Sequence, residues 1–141
     1  MIAGIGVDIV EIARLAAALQ RTPELAARLF TQAERSWATG RRAPADSLAG
    51  CFAAKEAVAK VLGAPPGLRW TDAEVLRNAA GRPALTVRGT VAAVARQQGI
   101  GAWQLSLSHD GGLCVAMVVA ETAAHAVRAG GHDEELERGR A

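Results

Sequence analysis

Residues 52–60 read Phe-Ala-Ala-Lys-Glu-Ala-Val-Ala-Lys and form the centre of the longest helical pattern in the chain. We expect Asp46 or Ser47 to cap the start of this helix, which runs to about Leu62, and Gly63 to end it. The pattern is apolar nearly all round, which is typical of a buried helix. The rest of the fold is therefore expected to be built around this segment.

Shorter elements are predicted on both sides of the long helix. Ile2–Val10 is β-branched and contains Gly4 and Gly6, which predicts a strand. Thr31 followed by Glu34 predicts a capping box that opens a short helix. Further strands are expected at 73–77, 84–87, 103–108 and 113–120, with helices at 11–21 and 90–98; residues 109–112, His-Asp-Gly-Gly, are typical of a hairpin turn. Helices and hairpins interleave without a regular βαβ alternation, which indicates an α+β fold.

Composition limits the class of protein. The 141 residues allow one domain, and a hydrophobic fraction of 50% excludes disorder for the body of the chain. No apolar run is long enough to span a membrane, and the N-terminal residues do not resemble a signal peptide. The two cysteines, Cys51 and Cys114, form no CxxC motif, which favours a reduced, cytoplasmic protein without structural zinc. Residues 122–141 lose all pattern and are predicted to be a mobile tail.

Positive charge is concentrated near the N-terminus, although the net charge is only +2. Six arginines fall within residues 14–42: Arg14, Arg21, Arg28, Arg35, Arg41 and Arg42. Such a cluster suits an acidic partner or a phosphorylated ligand, and the alternative is an ordinary solvated surface. Nucleic acid is disfavoured, because aromatic residues make up only 4% of the chain and no nucleic-acid motif occurs.

Three charged residues are candidates for chemistry. Asp8 lies in an otherwise apolar strand, where a carboxylate is costly unless it is paired or bound to a cation. Glu56 and Lys60 are four residues apart and share one face of the long helix. Two carboxylates, completed by phosphate oxygens and waters, are ligands that suit Mg²⁺. In this hypothesis Asp8 and Glu56 bind the ion and Lys60 binds the phosphate. The alternatives are that Asp8 caps the following helix and that Glu56 and Lys60 form a surface ion pair.

Ser106, Ser108 and His109 end the next-to-last predicted strand, where a hydroxyl and an imidazole beside a Gly-rich turn suit a phosphate. The alternative is a surface turn whose hydroxyls bond to the backbone. No GxSxG motif surrounds either serine, which argues against a serine nucleophile.

Together these segments resemble the holo-(acyl-carrier-protein) synthase family of phosphopantetheinyl transferases. The resemblance rests on the order and spacing of six motifs from residue 2 to about 121: residues 4–11 (Gly-Ile-Gly-Val-Asp-Ile-Val-Glu), 29–31 with Glu34 and Arg35, 52–57 with Lys60 and Gly63, 70–72, 81–83 and 105–110. It implies a transferase domain over residues 1–121. The implied fold is a small antiparallel sheet with one long central helix.

The resemblance also implies a reaction. The 4′-phosphopantetheine arm of coenzyme A passes to a serine of an apo acyl carrier protein in lipid and fatty acid biosynthesis, and adenosine 3′,5′-bisphosphate leaves. The family requires Mg²⁺, whose ligands carry over to Asp8 and Glu56. Lys60 would offset charge on the departing phosphate, and Glu56 is the preferred proton acceptor, directly or through a water.

Members of the family are trimers with coenzyme A between subunits. This implies that Asp8 and Glu56 come from one chain, and Ser108 and His109 from the next. Gly63 and Pro83 would line the nucleotide site. Arg41 and Arg42 would reach the 3′-phosphate. Arg14 and Arg21, seven residues apart on one helix face, would dock the acidic carrier protein.

One position departs from the family pattern. Many relatives carry Arg immediately before Phe-Ala-Ala-Lys-Glu, where this chain has Cys51. One phosphate contact is therefore absent or is supplied by Arg41 or Arg42. This departure keeps a second hypothesis open, a non-catalytic trimeric module that binds coenzyme A or a carrier protein. A Mg²⁺-dependent diphosphate hydrolase is a third hypothesis, disfavoured because no further acidic cluster would activate a water.

Overall fold

The computed structural model describes residues 1–124, which form a mixed α+β domain. The strands are β1 (Ile2–Glu11), β2 (Ala73–Arg77), β3 (Pro83–Val87), β4 (Ile100–Asp110) and β5 (Leu113–Thr122). The helices are α1 (Ile12–Arg21), α2 (Leu25–Leu29), α3 (Gln32–Thr39), α4 (Pro44–Val61) and α5 (Gly89–Gln97), and a 3₁₀ turn spans Trp70–Asp72. Within these residues no helix is both long and apolar enough to cross a membrane. The predicted α+β class is confirmed.

The strands form two antiparallel sheets. The larger has the order β1-β5-β4, and the smaller is the β2-β3 hairpin. Gly111 and Gly112 alone make the β4–β5 turn, and both have positive φ, +57° and +78°. This is the backbone shape that a two-residue hairpin turn requires. His109 and Asp110 belong to β4 rather than to the turn, so the predicted four-residue turn is too long by two residues.

Helix α4 crosses the inner face of the larger sheet, and the core lies between them. The helix interior is made of small residues, with Ala49, Ala53, Ala54 and Ala57 fully buried. Alanine both favours a helix and permits close packing. The α4 segment is the predicted long helix, and its C-terminal boundary is confirmed, because Gly63 follows it with φ +81°.

The start of α4 differs from the prediction. Pro44 is the first helical residue and Ala43 the cap, whereas neither Asp46 nor Ser47 caps the helix. Proline suits this position, because its fixed φ matches the helix and its missing N–H would have had no intrahelical partner. Asp46 instead lies in the first turn, where its negative charge interacts favourably with the positive end of the helix dipole.

Two glycines let α4 approach β1. A Cβ on Gly6 would overlap the carbonyl oxygen of Ala57, and one on Gly4 would lie 3.1 Å from Val61 Cγ1. Side chains alternate along a strand, so Asp8 points to the same face as these glycines. The close crossing therefore brings Asp8 against the C-terminal half of α4.

Candidate functional site

Asp8, Glu56 and Lys60 meet where β1 crosses α4. Lys60 Nζ lies 2.9 Å from Asp8 Oδ1 and donates a second hydrogen bond, 2.8 Å long, to the Val7 carbonyl. Asp8 is half-buried and Lys60 is 53% exposed at its side chain. The helix-cap interpretation of Asp8 is wrong, because Glu11 occupies the cap position of α1. Likewise, the ion-pair partner of Lys60 is Asp8 and not Glu56.

Glu56 is electrostatically coupled to this pair. Burial raises the pKa of its carboxyl, the nearby Asp8 charge raises it further, and Lys60 acts in the opposite direction. Two carboxylates that repel one another provide a favourable site for a cation. Within residues 1–124 no group of three or more His, Cys, Asp or Glu side chains is placed to hold a metal. A cation here would therefore have only these two protein carboxylates, and its remaining ligands would come from substrate and water.

A pocket of about 320 Å³ opens beside Glu56. One wall is the C-terminal half of α4, and the opposite wall is the segment 64–73 that follows it. Its lining consists of Lys55, Glu56, Val58, Ala59, Ala64, Pro65, Gly67, Leu68, Arg69, Trp70, Ala73 and Val91. Ala64 has a positive φ of +49°, which is unusual for a residue with a Cβ, and its N–H donates a 2.7 Å hydrogen bond to the Ala59 carbonyl at the end of α4.

A buried ion pair fixes the opposite wall of the pocket. Lys55 Nζ lies 3.0 Å from Glu34 Oε2, and the side chains are 1% and 0% exposed. The same ammonium donates to the carbonyls of Trp70, at 2.9 Å, and Ala73. Glu34 accepts hydrogen bonds from the backbone N–H groups of Thr31 and Val75, at 2.9 and 2.8 Å.

The sequence predicted one part of this network and missed the other. The Thr31–Glu34 capping box is confirmed. The contact of Lys55 with Glu34 was not predicted, because the rest of α3, a loop and the first half of α4 separate the two residues along the chain. A usable signal was present, since a lysine that follows two alanines on a buried helix must find a partner.

Ser108 and His109 do not join the Asp8 cluster within one chain. Ser108 pairs with Val115, which pairs with Ile9, so all three point to the outer face of the sheet, opposite to Asp8. His109 is exposed at the turn end of β4 and does not line the pocket. The turn interpretation of these residues is wrong, because both lie within β4.

The other predicted site residues lie outside the lining of the pocket. Gly63 is exposed directly after α4, and Pro83 begins β3. Arg41 and Arg42 are exposed between α3 and α4, and the Arg41 guanidinium lies 5.1 Å from the centre of the Trp37 ring. Arg14 and Arg21 are both exposed on α1.

Cys51, the departure from the family pattern, lies in the core. Its Sγ is 3.7 Å from the Val75 carbonyl oxygen, and burial raises the pKa of its thiol to about 12. It therefore does not occupy a position from which it can contact a ligand in the pocket. Both cysteines of the described residues are free and buried.

Comparisons with known proteins show what the chain is similar to. The family model described as the 4′-phosphopantetheinyl transferase superfamily matches residues 4–118. A holo-[acyl-carrier-protein] synthase from Frankia alni is 60% identical over 121 residues, which cover 86% of this chain and 98% of that protein. The enzyme of the same name from Streptomyces coelicolor is 56% identical, with 85% and 98% covered.

Solved structures of the same kind share the fold. The holo-[acyl-carrier-protein] synthase of Neisseria meningitidis superposes with a TM-score of 0.77 at 32% identity, covering 86% of this chain and all of that one. The Bacillus anthracis enzyme, solved in complex with coenzyme A (3′,5′-ADP), has a TM-score of 0.72 at 33% identity, with 87% and 99% covered.

Proposed function

The chain belongs to the 4′-phosphopantetheinyl transferase superfamily, and from that premise we propose the reaction it performs. It transfers the 4′-phosphopantetheine arm of coenzyme A to a serine of an apo acyl carrier protein, with release of adenosine 3′,5′-bisphosphate. The observation that carries this proposal is the meeting of Asp8, Glu56 and Lys60 at the glycine-lined crossing of β1 and α4. Solved relatives are described as complexes with coenzyme A, and the sequence relatives are named holo-[acyl-carrier-protein] synthases.

Mg²⁺ is the proposed cofactor, with Asp8 and Glu56 as its protein ligands. The donor set fits, since hard carboxylate oxygens suit Mg²⁺; burial first and the Asp8 charge second raise the pKa of Glu56, and a cation between the two carboxylates would offset their repulsion. When bound, the ion supplies charge neutralisation at the diphosphate.

Lys60 is the residue best placed to bind the diphosphate. Its ammonium has three N–H groups, of which two are donated to Asp8 and Val7. Within residues 1–124 no further acceptor is found for the third, which we assign to a phosphate oxygen. Asp8 and the Val7 carbonyl thus orient the ammonium before substrate binds, which reduces the reorganisation required in the transition state.

Glu56 is the proposed proton acceptor for the attacking serine hydroxyl, directly or through one water. Glu56 lines the pocket and lies beside the Asp8–Lys60 pair, so its carboxylate is within the same site as the proposed diphosphate position. Positioning of the serine, the diphosphate and this base supplies the rest of the acceleration.

A trimer with sites between subunits is the proposed assembly. The outer face of the larger sheet exposes Ile5, Val7, Ile9 and Met117, at 54%, 46%, 60% and 43%. Such an apolar face on a small domain indicates an association surface. Ser108 lies on this outer face and is therefore able to join an Asp8–Glu56 site only across an interface. His109, Gly63, Pro83, Arg41 and Arg42 are the further residues proposed to contact coenzyme A.

The carrier protein is proposed to dock on α1 through Arg14 and Arg21. Both side chains are exposed and lie on one face of the helix, which suits an acidic partner. Arg14→Glu is expected to raise the KM for the carrier roughly tenfold while leaving the KM for coenzyme A unchanged. An unchanged carrier KM would remove Arg14 from the docking surface.

Free cysteines and the fatty acid carrier chemistry favour the cytoplasm as the compartment.

Mass spectrometry of an apo carrier protein tests the function. With coenzyme A, Mg²⁺ and this enzyme, the carrier should gain one phosphopantetheine arm, and a chelator should abolish the gain. Coenzyme A that binds without transfer to several carriers would favour the non-catalytic module. Cleavage of coenzyme A without any carrier would favour the hydrolase.

Glu56→Gln tests the base and ligand role in the same assay. We expect turnover to fall roughly a hundredfold or more, because the amide neither accepts the proton nor carries the negative charge. Glu121→Gln, at the end of β5 and outside the pocket, is the matched control and should keep full activity. Near-normal turnover in Glu56→Gln would exclude Glu56 from the mechanism.

A further inference from the structure

Lys60 pairs with one of the two carboxylates that are proposed to hold Mg²⁺. Its Nζ lies 2.9 Å from Asp8 Oδ1, and the side chain of Asp8 is only 15% exposed. Among the ion pairs of residues 1–124, Asp8 takes part in this one and Glu56 in none. One negative charge of the proposed metal site is therefore already compensated by the protein itself.

The ammonium of Lys60 also acts on the second carboxylate. Burial and the Asp8 charge raise the pKa of Glu56, whereas the Lys60 charge lowers it. A divalent cation bound to Asp8 and Glu56 would thus meet a positive charge within the same small site, and like charges that share one carboxylate repel each other. Lys60 consequently disfavours the binding of a free divalent cation to this pair of acids.

The contacts of Lys60 allow this repulsion to be relieved. The ammonium has three N–H groups, and one of them is donated to the Val7 carbonyl at 2.8 Å, a backbone group whose position does not depend on a cation. Lysine carries its ammonium on a flexible four-carbon stem, and the Lys60 side chain is 53% exposed, so the head group has room to turn about this anchor. A diphosphate would offer it new negative partners, and Asp8 would then have both carboxylate oxygens for a metal ion.

We propose that Lys60 makes the binding of Mg²⁺ and of coenzyme A interdependent, an inference that rests on the proposed function. The ammonium exchanges Asp8 for the diphosphate as coenzyme A binds, and it keeps the Val7 carbonyl throughout. Lys60 therefore weakens the binding of Mg²⁺ alone and ceases to oppose it once the diphosphate is present. Because such coupling is reciprocal, each ligand strengthens the binding of the other by the same factor.

Calorimetric titration of Mg²⁺ without any carrier protein tests the proposal, because no transfer occurs. For the unsubstituted chain, we expect saturating coenzyme A to lower the Kd for Mg²⁺ roughly fivefold or more. Lys60→Met removes the competing charge and should lower the Kd for Mg²⁺ alone roughly fivefold. The factor by which coenzyme A lowers the Kd for Mg²⁺ should be roughly five times smaller in this variant.

Arg88→Met is the matched control. Arg88 forms an ion pair with Glu74 at 3.2 Å, and the two side chains are 52% and 15% exposed, which closely matches the Lys60–Asp8 pair. The substitution removes the same charge outside the pocket lining, so the Kd for Mg²⁺ should stay within about twofold. Lys60→Arg keeps the positive charge and should retain the weak binding of Mg²⁺ alone. Lys60→Gln repeats the test if Lys60→Met does not fold.

Three results would overturn the proposal. An unchanged or weaker affinity of Lys60→Met for Mg²⁺ alone would show that the ammonium does not oppose the ion. An equal effect of coenzyme A on the Kd for Mg²⁺ in both chains would show that Lys60 stays on Asp8 when the diphosphate binds. No binding of Mg²⁺ to either chain, even with coenzyme A, would remove the ion from this site. The first two results can occur while the carrier is modified normally, and loss of carrier modification can occur while both Kd shifts are observed.

Discussion

Lys55 and Glu34 form an ion pair with almost no exposed side-chain surface. Each charge has left water, and each is compensated by the other and by backbone groups. Removing one partner of such a pair is costly, because the remaining charge stays buried without compensation. The two residues also connect α3, α4 and the wall of the pocket, so removing either residue would destabilise all three.

Lys55→Met is therefore expected to lower the free energy of unfolding by about 3–5 kcal/mol. The matched control is Lys60→Met, whose ion pair with Asp8 is half-exposed, and its loss should cost less than about 1 kcal/mol. Urea denaturation followed by circular dichroism measures both. Equal effects of the two substitutions would show that burial does not decide the strength of these pairs.

Cys51 gives a prediction about pH. Burial raises the pKa of its thiol from 9.0 to about 12, so the folded state holds the proton more tightly than the unfolded state does. Its contribution to stability is complete below pH 9 and is lost progressively as the pH rises from about 9 towards 12. The loss of stability over this range should be smaller in Cys51→Ala than in the unsubstituted chain, as measured by urea denaturation at each pH. Parallel pH profiles would contradict the assignment.

At the scale of elements, the crossing of β1 and α4 depends on Gly6. Gly6→Ala places a methyl group against the Ala57 carbonyl, so the helix must move away from the strand. We expect a loss of about 1–3 kcal/mol in stability. Turnover should also fall, because Asp8 on the strand would separate from Glu56 on the helix.

Gly50→Ala, within α4, is the control for Gly6→Ala. A Cβ there would lie 3.4 Å from Leu107 Cδ1 and 3.7 Å from Cys114 Sγ, which are ordinary contacts. Because glycine weakens a helix interior by roughly 0.5–1 kcal/mol relative to alanine, this change should be neutral or stabilising. Thermal unfolding and the carrier transfer assay measure both variants. If Gly6→Ala kept full stability and turnover, the result would show that the crossing of β1 and α4 tolerates a wider spacing.

The elements predicted from the sequence were those with strong local signals. The Ile2–Val10 strand, the Thr31–Glu34 capping box and the Gly63 helix end all depend on residues within a few positions of one another. The start of α4 was misplaced because Pro44 competes with Asp46 and Ser47 as a helix-start signal. The turn after β4 was predicted too long because the polar residues His109 and Asp110 are typical of turns, and only their pairing with Cys114 and Leu113 places them in the strand.

The site was predictable only in part for a related reason. Asp8, Glu56 and Lys60 are unusual locally, as charges in apolar segments, so the sequence singles them out. Their meeting, and the pairing of Lys60 with Asp8, depends on a strand and a helix about fifty residues apart. The pocket was not predicted at all, because its walls are ordinary apolar residues. The predicted tail at 122–141 begins at Thr122, which in fact ends β5, and residues 125–141 lie outside the described part of the chain.

For the whole molecule, the exposed outer sheet face indicates association, and the proposed trimer sets the expected mass. We expect light scattering to give the mass of three chains of 14.6 kDa each. Met117→Asp puts a charge at the middle of this face and should shift the mass towards one chain and reduce turnover. Thr86→Asp, exposed on the smaller sheet, is the control and should stay trimeric. A single-chain mass for the unsubstituted protein would contradict the proposed assembly.

The alternation of glycine with large β-branched residues in β1 has a consequence for how the chain finds its pairing. If β1 slid along β5 by one position, every side chain would change faces. Val7 or Ile5 would then be driven towards the α4 backbone, where even a methyl group does not fit, and Asp8 would turn away from Lys60. Steric exclusion on the α4 side of the ribbon thus rejects the one-residue slip, which is also the slip that would turn the acidic group away from its partners.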